Sequence, residues 1–107
     1  MRRFGQVIKL KPGASEEYER LHVAVWPGVL QTISACHIRN YSIFRHGEML
    51  FAYFEYVGDD FAGDMAKMAA DPTTREWWKL TEPLQVPLEG RASGEWWSTI
   101  KEVFHTD

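Results

Sequence analysis

The chain is poor in the features that announce several common classes of protein. A single cysteine, Cys36, stands among 107 residues, so no internal disulfide can form and a disulfide-stapled secreted design is excluded. The expected role of Cys36 is that of a small buried hydrophobe, since no activating neighbour accompanies it in the sequence. The longest purely apolar run, Met49–Phe54, is six residues, far below the ~20 that a bilayer-spanning helix needs. Met1-Arg2-Arg3-Phe4 carries positive charge, but neither an apolar stretch nor a small-residue cleavage site follows, and the expected location is the cytoplasm. Twelve Lys and Arg against fifteen Asp and Glu leave a net charge of −3, with the basic residues scattered, which argues against a nucleic-acid partner.

Signature motifs are missing as well. G-x-G-x-x-G, G-x-x-x-x-G-K and G-x-S-x-G do not occur, so dinucleotide binding, phosphate cradling and serine hydrolysis have no local support. His22, His37, His46 and His105 show no H-x-x-x-H or H-E-x-x-H spacing, and no C-x-x-C pair joins them. No metal and no cofactor are expected.

What the chain does have is apolar and aromatic mass. Hydrophobic residues make up 45% of it, charged residues 25%, and five tryptophans stand out, a composition that suits one folded domain over residues 1–107. A domain this small buries only roughly two-thirds of its unfolded surface, so pairing of two copies is a natural way to bury more.

Periodicity supplies the elements. Phe4, Gln6, Ile8 and Leu10 alternate with their neighbours from Arg3 to Lys11 and end at Pro12-Gly13, a strand closed by a turn. Ser15 is placed to cap a helix whose stripe runs Tyr18, Leu21, His22, Val25, Trp26, with Glu16, Glu17 and Glu19 near its start. Trp26-Pro27 should break it, and a second segment through Val29, Leu30 and Ile33 should reach about Ala35. His37–Arg45 and Met49–Val57 read as a hairpin around His46-Gly47. Asp59 or Asp60 can cap a helix carrying Phe61, Met65, Met68 and Ala69. After Asp71-Pro72, Thr73 or Thr74 offers a cap for a shorter helix holding Glu76-Trp77-Trp78-Lys79-Leu80. Leu84–Gly94 reads as an irregular connection, and Trp96–His105 as the last strand. This order, βαββαβ with each helix broken once, is that of an α+β, ferredoxin-like domain: an antiparallel sheet with helices on one face. Its other face needs a cover, and a homodimeric α+β barrel would supply one.

The chemistry with most support is a histidine among aromatic and hydroxyl groups. Tyr18 and His22, at i and i+4, project from one helix face. An imidazole can give or take a proton near neutral pH, and a phenol can hold a hydroxyl-bearing ligand. The same spacing also describes two interior residues with satisfied hydrogen bonds. Adjacent Trp77 and Trp78 point about 100° apart on a helix, so one can pack inward while the other meets a ligand. Packing of both in the core fits the pattern equally. Flat indole faces suit sugars. Trp96-Trp97 is expected to anchor the entry of the last strand, while Glu102 and His105 fit either the cleft or the surface.

Over essentially its full length the chain resembles the L-rhamnose mutarotase family. The resemblance rests on E-E-Y-E-R-L-H at Glu16–His22, W-P at Trp26-Pro27, N-Y-S-I at Asn40–Ile43, D-P-x-x-x-x-W-W-K at Asp71–Lys79 and E-V-F-H at Glu102–His105, in that order and spacing. It implies a dimeric α+β barrel that interconverts the α and β anomers of a deoxyhexose without metal or cofactor. By the same resemblance His22 falls where the family has its proton donor, and Tyr18, Tyr41, Trp77 and Trp78 fall where it contacts the sugar. The chain departs from the family at Val23-Ala24, where Asn-Pro is common, and at Gly28, where an acidic residue is common. His22 stays in place, so the reaction type follows more directly than the sugar. L-fucose or another 6-deoxy sugar is the alternative substrate. A cofactor-free monooxygenase, a haem-handling α+β barrel and a non-catalytic sugar-binding module are the rival readings.

Overall fold

A computed structural model describes residues 1–107. Strands β1 (Arg2–Leu10), β2 (Ile38–His46), β3 (Met49–Tyr56), β4 (Gln85–Val86) and β5 (Ser98–Ile100) form one curled antiparallel sheet. Four helices, α1 (Ser15–His22), α2 (Pro27–Ala35), α3 (Phe61–Ala70) and α4 (Pro72–Thr81), pack on one of its faces. The strand order is β2-β3-β1-β4, with β5 beside β4 on the free edge of β1. That is the ferredoxin-like order expected from the sequence. Register assigns the faces: Ile8 sits opposite Leu50 and Phe4 opposite Phe54, pointing toward the helices, while Val7 opposite Phe51 and Gly5 opposite Tyr53 point away. Ile8 and Leu50 are almost fully enclosed, each worth roughly 1.5–3 kcal/mol of apolar burial. With Leu10, Ala14 and Tyr18 they form one core cluster, and Ile38, Phe54 and Tyr56 form a second.

Pro27 starts α2, in whose first turn its missing N–H is not needed. α1, however, ends earlier than expected, at His22, where the Val23 N–H bonds back to the Arg20 carbonyl, so Val25 and Trp26 of the expected stripe lie in the connection between the two helices. Trp26 before Pro27 is extended, at φ −59° and ψ 136°, as a residue preceding proline must be. Gly47 turns the β2–β3 hairpin at φ 58°, a conformation that glycine adopts without a steric penalty.

Several sequence expectations are corrected. Ser15 does not cap α1; Ala14 holds the cap position without a side-chain bond, and Ser15 is already helical. α4 is capped by Asp71 and not by Thr73 or Thr74: its carboxylate accepts from the Thr74 N–H and hydroxyl, both at 2.9 Å. Of the two candidates for α3, Asp60 is the cap, accepting from Gly63 N at 3.0 Å. The connection after α4 is not wholly irregular, since a 3₁₀ turn at Glu82–Leu84 leads into β4. The last strand is only Ser98–Ile100, paired with Gly5–Val7 of β1, and Lys101–Asp107 runs on outside the sheet, where Glu102 is held by the Arg3 side chain instead.

Candidate active site

Between the helix-covered sheet face and the helices lies a cleft of about 1060 Å³. Three local features bring its chemical groups together. In α1 the i, i+4 spacing stacks the Tyr18 ring on the His22 imidazole, with centroids 4.3 Å apart and planes at 26°. In α4, Trp77 is buried and packs steeply inclined against both His22 and Trp26, with ring centroids 5.3 Å away in each case, while Trp78 is half-buried at the cleft wall. The third feature is a β-bulge. Arg39 pairs with Glu55 but Ser42 pairs with Tyr53, so β2 carries one extra residue there. Asn40 adopts φ 52°, and its amide donates to Glu55 at 2.8 Å on the outer face. The extra residue shifts the alternation, and Tyr41 joins Ile43 on the cleft side, 5.6 Å from the Phe54 ring.

Hydrogen bonding fixes the state of the imidazole. His22 Nδ1 lies 2.7 Å from the Tyr18 carbonyl oxygen. A carbonyl can only accept, so Nδ1 carries the proton and Nε2 is the nitrogen left for a ligand. The neutral ring therefore accepts through Nε2, and the protonated ring donates through it. The phenols behave differently. Burial pushes the Tyr18 hydroxyl far above its ordinary pKa, the nearby Tyr41 adds to this, and a hydrogen bond from Gln85 partly opposes it. Tyr41 is 40% exposed as a residue, yet desolvation of its hydroxyl in the cleft pushes its pKa up to about 12. Both phenols hold their protons at neutral pH, so they orient a ligand and do not serve as its base. Glu19 at the rim is tied to Arg45 by a 2.8 Å ion pair.

The profile of the L-rhamnose mutarotase family matches residues 3–106. A curated L-rhamnose mutarotase of Oceanobacillus iheyensis is 30% identical, with both chains covered in full. The chain belongs to the L-rhamnose mutarotase family. Among its relatives an L-rhamnose mutarotase of Listeria monocytogenes is 37% identical over 78% of this chain and 80% of its own. An L-fucose mutarotase of Xanthomonas campestris is 34% identical over 97% of this chain and 87% of its own. The crystal structure of the L-rhamnose mutarotase of Formosa agariphila shares the fold, with a TM-score of 0.79, full coverage of both chains and 22% identity.

In this member of the family, the five residues singled out from the sequence, Tyr18, His22, Tyr41, Trp77 and Trp78, all line the one cleft. Sequence reasoning missed two others. Trp96, expected only to anchor a strand, reaches the cleft and donates its indole N–H to Gln85 at 2.8 Å, and Gln85 sits in the unforeseen strand β4. Glu102 and His105 stay outside: Glu102 accepts from Arg3 at 3.0 Å and His105 pairs with Asp107 in the exposed tail. Cys36 is buried, and burial raises its thiol pKa, the opposite of activation. No three His, Cys, Asp or Glu side chains approach closely enough to hold a metal ion.

Proposed function

We propose that the chain is an isomerase that interconverts the α and β anomers of L-rhamnose, with His22 as the proton-transfer residue and Tyr18, Tyr41, Trp77 and Trp78 as its sugar contacts. The observation that carries this reading is the imidazole with its Nδ1 proton committed to a backbone carbonyl and its Nε2 left free within an aromatic cleft. Opening a pyranose needs a proton on the ring oxygen and the loss of one from the anomeric hydroxyl. Both oxygens are bonded to the same carbon, so one nitrogen can serve both. Neutral Nε2 takes the anomeric proton, and the resulting imidazolium hands it to the ring oxygen as the C–O bond breaks. The open aldehyde turns about its C1–C2 bond, and the reverse sequence closes the other anomer. Atoms and charge balance with nothing consumed. The indoles offer flat apolar faces to the C–H surface of the sugar, and the two protonated phenols offer hydroxyls to its oxygens.

L-fucose is the second reading, favoured by the 34% identity to the Xanthomonas enzyme over nearly the whole chain. Saturation transfer between the anomeric NMR signals of L-rhamnose, L-fucose and L-mannose separates the substrates, and background exchange for all three discards the mutarotase reading. His22→Ala should keep the fold and lose about 10²- to 10⁴-fold in exchange rate, the usual worth of one positioned acid–base group. Exchange at the wild-type rate in that variant discards His22 as the proton carrier. The reading also includes a homodimer, supported by the apolar outer face of the sheet, and a cytoplasmic location, supported by the free thiol of Cys36.

A further inference from the structure

Gln85 is a buried polar side chain that the proton-transfer scheme leaves unused. It pairs with Leu10 at the short β1–β4 contact and faces the cleft. Its Oε1 accepts from Trp96 Nε1 at 2.8 Å, and its Nε2 lies 3.3 Å from the Tyr18 hydroxyl. An indole N–H can only donate. Trp96 therefore requires the oxygen end of the amide and turns the nitrogen end toward Tyr18. An amide nitrogen in turn can only donate, so the phenol oxygen receives this bond and its own proton must point elsewhere. The phenol keeps that proton at neutral pH, since burial raises its pKa. The same Tyr18 stacks on His22 and accepts the Nδ1 proton through its carbonyl, so whatever fixes Tyr18 also fixes the proton carrier.

We infer that Gln85, oriented by Trp96, is a positioning residue that commits the Tyr18 hydroxyl to donate its proton toward an oxygen acceptor of the bound sugar. The inference rests on the mutarotase reading of the cleft. It has a sharp chemical consequence. Gln85→Glu keeps the size and can still accept from Trp96, but a carboxylate cannot donate to the phenol. Tyr18 then turns its proton onto residue 85 and presents only lone pairs to the sugar. Gln85→Met keeps the length and breaks both bonds, leaving the phenol proton free to swing toward either side.

The test is a cycle on the full chain: wild type, Gln85→Glu, Tyr18→Phe and the double variant, with Gln85→Met alongside. Anomer exchange of L-rhamnose is resolved into kcat and KM, and a thermal midpoint is recorded for each variant. Gln85→Glu should lose about tenfold or more in kcat/KM, the size expected when one buried donor is withdrawn from a ligand. It should lose more than Gln85→Met, and add nothing further in the Tyr18→Phe background, where the phenol proton is already gone. An equal loss in both backgrounds, or a greater loss for Met than for Glu, means that Gln85 only packs, and overturns the inference. The indole N–H spectrum of the unliganded protein tests the amide orientation without any sugar. The Trp96 signal should move and lose exchange protection in Gln85→Met but keep both in Gln85→Glu, and a Trp96 indole that is unaffected by either change also overturns the inference. Absence of exchange by the wild type with an intact Trp96 response overturns instead the mutarotase reading and the sugar half of the inference with it.

Discussion

Single residues outside the cleft are held as tightly as those within it, and the clearest case is Asp64. It is buried on α3, and its Oδ2 accepts from the Tyr56 hydroxyl at 2.5 Å and from His37 Nδ1 at 2.9 Å. The Tyr56 bond, then the His37 bond, hold its carboxyl below the ordinary carboxylate range in spite of burial. A depressed carboxyl contributes stability that is fully present above the unfolded-state pKa of about 3.9 and is lost as the pH falls through the folded-state value. Asp64→Asn should therefore lower the urea midpoint at pH 7, and the gap to the wild type should narrow by pH 3; a gap of constant width would mean that the charge on Asp64 contributes nothing. Gly58 closes the same network from above. A Cβ added there would stand 2.5 Å from the Tyr56 hydroxyl oxygen and 2.9 Å from Asp64 Oδ2. Gly58→Ala is expected to cost about 1–3 kcal/mol in denaturant unfolding, as overpacking does, because the atoms in the way are a buried phenol and the carboxylate it is bonded to. Residues such as Tyr18 and His22 could be paired from the sequence because one helical turn connects them. Gln85 could not, since its partners are 67 and 11 positions away and no local rule joins them.

Elements were legible where a period or a proline declared them, and obscure where a tertiary contact made them. β1, the β2–β3 hairpin, the start of α2 at Pro27 and the division at Asp71-Pro72 all follow from short-range patterns, whereas the end of α1 at His22, four residues before Trp26, does not. β4 has two residues, too few for any alternation to show, and exists because Lys9 and Leu10 hold it. The exchange of Thr73 or Thr74 for Asp71 as the cap has a simple origin: Pro72 occupies the first helical position, so the cap lies one residue before it. The bulge in β2 was equally hidden, although Tyr41 depends on it. Its key is Asn40, whose short amide tolerates the left-handed region better than most side chains. Asn40→Val places a β-branched residue at φ 52° and should cost roughly 1–2 kcal/mol. If the bulge instead slips out of the strand, Tyr41 turns to the outer face and KM for the sugar rises. Asn40→Gly preserves the backbone conformation and should preserve KM; loss of sugar binding in the glycine variant would show that the Glu55 contact, and not the bulge, sets the position of Tyr41.

At the scale of the whole molecule the two faces of the sheet are in very different states. One face carries the core clusters and the cleft, under four helices. The opposite face has no such layer, yet it presents Phe44, Phe51, Val86 and Ile100, all exposed in the single chain, and beyond β5 the tail exposes Val103 and Phe104. Contiguous exposed aromatic and aliphatic area of this kind is rare on a stable monomer and favours association. A second copy of the chain is the expected partner, because two such sheets laid outer face to outer face bury the same residues from both sides. Light scattering at micromolar concentration should then give twice the 12.4 kDa chain mass. Phe51→Asp, which puts a charge at the centre of the face opposite Val7 and Phe44, should return a species of single-chain mass. Anomer exchange reports on a different part of the molecule, since Tyr18, His22, Tyr41, Trp77 and Trp78 all come from one chain. A wild type that is monomeric and active would discard the dimer and leave the cleft as described. A Phe51→Asp monomer that still folds but no longer exchanges anomers would show that pairing of the outer faces holds the cleft in its working shape.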